Sequence, residues 1–109
     1  MEVKNVEMML YNIFSCVVES VMDESGLDFE RLAHGRDERS VTARVVLVDV
    51  LMGVGLSEGD IVRLSGMSQQ RVNSLKNAAR HRLRGLYASM LRSAVWKRCE
   101  GLGRMGGNV

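Results

Sequence analysis

Residues 55–83 read GLSEGDIVRLSGMSQQRVNSLKNAARHRL, a stretch that predicts two helices joined by a tight turn. Ser57 is a good N-cap, because its hydroxyl accepts from the free N–H groups of a first helical turn, and Asp60 sits where a capping-box acid reaches back. A short helix is therefore expected from about Glu58. Its apolar residues Ile61, Val62 and Leu64 face inward, and Gly66 supplies the residue that tolerates a left-handed C-terminal conformation. Ser68 caps a second helix, in which Val72, Leu75, Ala79 and Leu83 recur at spacings of three or four and make one stripe. At about 100° per residue the opposite face holds Gln70, Asn73, Ser74, Asn77 and His81, with Arg71, Lys76, Arg80 and Arg82 on the flanks.

That layout suits a helix-turn-helix, here residues 57–84. An inserted helix reads base edges with its N-terminal exposed residues, while cations at its margins meet phosphates on either side of the major groove. Gln and Asn fit the middle of such a face, since their amides pair bidentately with adenine N6 and N7. A merely solvated helix face has a similar composition. The turn, the two caps and the basic margins together favour DNA, and they nominate Ser68, Gln69, Gln70, Arg71, Asn73, Ser74, Lys76, Asn77 and Arg80 as contacts.

The chain has 109 residues, which suits one domain with a single core, expected over residues 1–100. Proline is absent and aromatics are scarce, so an all-α fold of five or six helices is expected. The formal net charge of +2 conceals an asymmetry: residues 1–60 sum to −7 and residues 61–109 to +9. Such a split points to a polyanion partner unless folding mixes the halves and cancels the field. Cys16 and Cys99 belong to no metal-ligand or redox spacing, so neither a disulfide framework nor a metal site is expected. No secretory signal or membrane span is legible, because Glu2, Lys4, Asn5, Glu7, Asn12 and Glu19 interrupt the apolar residues of the N-terminus. A cytoplasmic protein without membrane contact is the simplest expectation.

Apolar residues at 3, 6, 10, 13 and 17, joined by Phe14, Val18 and Val21, give the N-terminus the pattern of a long amphipathic helix. It needs a partner surface, either the domain's own core or a second copy in a homodimer. Gly26 ends it, and Asp28 can cap a short helix with Phe29, Leu32 and Ala33. A charged loop of residues 34–39 follows, with Gly35 at the helix end. Ser40 or Thr42 then opens a central buried helix carrying Val41, Val45, Leu47, Val48, Leu51 and Met52, which Gly53 and Gly55 terminate. After Gly85, residues Leu86, Met90, Leu91, Ala94 and Val95 form a closing helix to about Arg98, with Trp96 along its edge. Residues 101–109 contain four glycines and are expected to be a disordered tail.

From about Val17 to Leu83 the chain resembles the C-terminal DNA-binding domain of the bacterial replication initiator DnaA and the related domain of some REP-associated transposases. The matching features are Gly26-Leu27-Asp28-Phe29-Glu30-Arg31-Leu32, the basic pair Arg36 and Arg39, Ala43-Arg44, Leu56-Ser57 with Ile61, and Gly66 followed by Val72. The resemblance implies a Trp-repressor-like helical fold that binds duplex DNA, with Arg36 in a minor groove and base or phosphate contacts from residues 67–71. It implies a role in replication, transcription regulation or mobile-element biology. The initiator's signature Gly-Arg-Asp-His-Ser/Thr-Thr-Val is replaced here by Gly66-Met67-Ser68-Gln69-Gln70-Arg71-Val72, so the site read must differ. The helix pair alone also resembles region four of sigma factors and the response-regulator type of helix-turn-helix.

A catalytic reading has little to rest on. His34 and His81 lack partners at ligand or triad spacing, and the paired acids Asp23-Glu24 and Asp37-Glu38 lie in turns, where solvated charge is usual. No nucleotide-binding GxxxxGK[ST] occurs. A non-enzymatic chain without cofactors is expected, with a protein-interaction module that has lost DNA binding as the competing reading.

Overall fold

The valine-rich segment after residue 37 forms a helix, and every other element is arranged around it. A computed structural model describes the backbone of residues 2–102 and the side chains of residues 5–102. Six helices follow in order: α1 (Glu2–Ser25), α2 (Phe29–His34), α3 (Glu38–Gly53), α4 (Glu58–Ser65), α5 (Gln69–Arg82) and α6 (Leu86–Cys99), with no strand among the described residues. The all-α expectation holds. Tail residues 103–109 lie outside the described residues, whereas Leu102 packs half-buried against the core.

Helix α3 touches all five other helices, which explains why it is apolar around most of its circumference. Ala43, Val45, Val46, Val48, Val50 and Leu51 are completely buried in it. Removing each such valine or leucine from water contributes about 1.5–3 kcal/mol, so this helix holds the domain together. Its β-branched run would suit a strand equally well locally, but with no neighbouring strand to satisfy its backbone only a helix closes its hydrogen bonds.

The start of α3 differs from expectation. Asp37, not Ser40 or Thr42, is the N-cap: its carboxylate accepts from the Ser40 N–H at 3.3 Å and from the Ser40 hydroxyl at 2.7 Å. Ser40 thus sits inside the first turn, buried as part of the cap. Gly35 ends α2 in an extended conformation at φ −61°, not a left-handed one, and its N–H returns to the Arg31 carbonyl at 2.8 Å.

Helix α1 follows its predicted stripe from Ile13 to Val21, where Ile13, Val17, Val18 and Val21 are buried, but Val6 is 45% exposed. Helix α6 departs further from its pattern. Ala88, Leu91, Val95 and Cys99 are its buried residues, whereas Leu86 and Met90, expected in the apolar stripe, are 78% and 62% exposed. Phe29 on α2 is likewise 61% exposed. The buried Cys99 thiol approaches the Ser20 hydroxyl of α1 at 3.5 Å, and Cys16 lies at the surface. No helix among the described residues is long and apolar enough to cross a membrane.

Candidate nucleic-acid interface

The α4–α5 pair forms as its caps predict. Ser57 and Asp60 make a reciprocal capping box, with the Asp60 N–H donating to the Ser57 hydroxyl at 3.0 Å and the Ser57 N–H to the Asp60 carboxylate at 2.9 Å. The Ser57 backbone N–H holds the Asp60 carboxyl below its ordinary pKa, with further help from the Ser57 hydroxyl and Arg63. Gly66 takes a left-handed conformation at φ 79°, which a side chain would strain by about 1–2 kcal/mol. Ser68 caps α5 by accepting from the Arg71 N–H at 3.0 Å. Only Gly66, Met67 and Ser68 separate the two helices.

Helix α5 packs on α3 and α4, and Val72 is its one fully buried residue. Gln70, Asn73, Ser74, Asn77, Arg80 and His81 are all exposed, and their spacing sets them in one stripe along the outward face. Among the described residues, none of the six side chains is hydrogen-bonded to another side chain. The terminal helices α1 and α6 do not cover this face; their main packing is against each other and against α3.

The other predicted contacts are placed differently. Gln69 and Lys76 are turned toward α4, where the Glu58 carboxylate accepts from the Gln69 amide at 2.8 Å and pairs with the Lys76 ammonium. Arg71 leans the opposite way and donates to the Ala33 carbonyl at 3.2 Å. Arg82, predicted on the flank, is tied to Glu38 and donates to the Thr42 hydroxyl at 3.2 Å. The Ser68 hydroxyl is engaged as the cap. Arg36 is exposed in the short connection between α2 and α3. Arg39 lies in the first turn of α3, its guanidinium 5.7 Å from the centre of the Tyr87 ring, within the range of a cation–π contact.

The charge asymmetry is largely consumed by folding. Five cations of the basic half are paired with acids of the acidic half: Arg63 with Glu7, Lys76 with Glu58, Arg82 with Glu38, Arg92 with Asp49, and Arg98 with Asp23 and Glu24. Among the described residues, the arginines left without a carboxylate partner include Arg36, Arg39, Arg71, Arg80 and Arg84. Three of these belong to α5 or its C-terminal end, and two to the connection and helix start beside it. The arginines without a carboxylate partner therefore include ones on α5 and on the connection that precedes α3.

Sequence reasoning missed Arg44. It is only 8% exposed, and its guanidinium donates to the carbonyls of Leu32 at 2.8 Å and Gly35 at 2.6 Å. Burial lowers its pKa from the ordinary arginine value, and the neighbouring Arg71 charge adds to the effect. In the sequence it stands only among the matched positions of the resemblance, and a charge within an apolar run is the signal that it is buried. Its work is to satisfy the end of α2 and so to fix the connection bearing Arg36.

A cleft of about 300 Å³ opens between α2 and the α4–α5 turn, its lining including Phe14, Phe29, Leu32, Arg44, Met67 and Arg71. Among the described residues no three His, Cys, Asp or Glu side chains gather in a way that could hold a metal ion. Comparison with protein-family models, with characterised proteins and with solved structures finds no match to this chain.

Proposed function

We propose that this protein binds duplex DNA sequence-specifically, inserting α5 into the major groove as the second helix of a helix-turn-helix. The observation that carries the reading is the stripe from Gln70 through Asn73, Ser74 and Asn77 to Arg80: three amides, a hydroxyl and a guanidinium, uncovered, on the helix that a tight turn sets beyond α4. Amide side chains discriminate adenine, each good bidentate pair contributing about 1–3 kcal/mol. Arg71, Arg80 and Arg84 would meet phosphate along the helix, and Arg36, held in place by Arg44, would reach the adjacent minor groove. The resemblance to the initiator's DNA-binding domain supports the same assignment and a Trp-repressor-like fold, and it suggests a regulator or a replication- or mobile-element-associated factor. Lys76 and Arg82 make no phosphate contact in this reading, because each already faces a carboxylate.

The test is binding to a pooled random duplex across a salt series, followed by selection of bound sequences. Affinity should fall steeply as salt rises, and selection should converge on one motif. No binding at low salt would overturn the reading.

A second reading has an observation of its own. Leu86, Tyr87 and Met90 stand exposed at the start of α6, which suits a protein-contact module in which the polar face of α5 is simply solvated. Retained DNA binding after Leu86→Ser and Met90→Ser would separate the two.

A further inference from the structure

Glu58 occupies the first helical position of α4, with its side chain 25% exposed. Its two carboxylate oxygens are divided between partners on a different helix: Oε1 accepts from Nε2 of Gln69 at 2.8 Å, and Oε2 accepts from the Lys76 ammonium. Gln69 and Lys76 are seven residues apart, two turns of α5, so both project from the edge that faces α4. A carboxylate at this helix start is favourable on its own, because it meets the positive end of the helix dipole. That interaction requires neither partner. The bridge to α5 is therefore an additional feature, and it lies at the margin of the reading stripe.

We propose that Glu58 is a positioning residue that sets selectivity, holding the Gln69 amide in one orientation for a base edge while keeping Lys76 from phosphate. The inference rests on the DNA-binding reading above. Non-specific affinity comes from cations that displace counterions from phosphate, and a lysine already paired with a carboxylate displaces none. Glu58 adds its own repulsion toward the backbone. Gln69 keeps one amide hydrogen and its carbonyl oxygen after donating to Glu58, so it still has what adenine N7 and N6 require. One acid thus lowers the affinity that carries no sequence information and orders a group that reads sequence.

The wild-type chain, Glu58→Gln, Lys76→Met and the double variant decide the matter, each titrated with salt on random duplex and on a duplex obtained by selection. Glu58→Gln should bind random duplex several-fold more tightly, with a log–log salt slope steeper by about 0.9, one phosphate contact. Its ratio of selected to random affinity should fall. Lys76→Met should leave the wild-type slope unchanged and abolish the steepening in the double variant. Equal slopes and equal ratios for Glu58→Gln and wild type overturn the proposal, as does a shallower slope for Lys76→Met alone, which reads out even where Glu58→Gln fails to fold. Failure of every form to bind at low salt refutes the DNA-binding reading itself, a result distinct from binding with unaltered slopes.

Discussion

Arg71 donates a guanidinium hydrogen to the main-chain carbonyl of Ala33 across 3.2 Å, joining the first turn of α5 to the last turn of α2. Arg44 reaches the same helix end from α3 and takes the carbonyls of Leu32 and Gly35. The last carbonyls of a helix have no partner within it, and here two arginines from different helices supply the donors that a left-handed glycine would otherwise provide. The connection carrying Arg36 is consequently fixed with respect to α5.

Arg71→Ala should weaken binding to selected and random duplex alike and flatten the salt slope by about 0.9. Gln70→Ala should act mainly on the selected sequence, by about 1–3 kcal/mol. Fluorescence anisotropy on the two duplexes measures both. Equal losses from both changes on both duplexes would refute the assignment of reading and phosphate roles.

Arg44→Met removes two charge-assisted donors and leaves buried carbonyls without partners. Destabilisation of about 2–3 kcal/mol is expected, measurable by urea unfolding. Arg44→Lys should recover little of it, since an ammonium cannot reproduce the planar fork.

The ring of Trp96 occupies the space next to Gly53, where an added Cβ would lie 2.8 Å from Cζ3. Arg92 stacks on the same indole at 4.9 Å while its Nε donates to Asp49 at 2.9 Å, so the ring is held from both helices. Gly53→Ala gains roughly 1 kcal/mol of helix propensity but forces the ring aside, at about 1–3 kcal/mol. The net change should be destabilising. Trp96 is the chain's one tryptophan, so its emission reports the displacement; an unshifted spectrum with raised stability would contradict it.

The Asp37 carboxyl has its pKa lowered from 3.8 to about 2, chiefly by the Ser40 hydroxyl and then by Arg31. A lowered folded-state value favours the ionised form in the native protein. The contribution of this cap is therefore complete above about pH 4 and is lost as pH falls toward 2. A carboxyl carbon titration by NMR should place the midpoint of Asp37 well below that of an ordinary aspartate, and Ser40→Ala should move it upward.

The helix boundaries around the turn were legible because their signals are local. Ser57, Asp60, Gly66 and Ser68 act on neighbours within four residues, and the pattern around them specifies what they do. Asp37 was misread for a related reason: Asp37, Ser40 and Thr42 are all capable caps, and only the fold shows that Ser40 donates its hydroxyl to Asp37. What remained hidden is long-range. Glu7 and Arg63, or Glu38 and Arg82, meet only after the chain has folded, and those pairings decide which cations remain to form a field. Periodicity also treats every leucine and methionine as inward, so it could not distinguish exposed Leu86 and Met90 from buried Leu91 and Val95. The exposed stripe of α5 was visible as a pattern; the turning of Gln69 and Lys76 toward Glu58 was not.

The two thiols differ in a useful way. Cys16 is open to a reagent in the native protein, while Cys99, at the end of α6, is buried against Ser20 of α1. Alkylation should therefore proceed in two phases, a prompt one at Cys16 and a slow one at Cys99 that can advance only when the first and last helices part. The rate of the second phase is a built-in clock for that separation, readable by mass spectrometry without any added label site.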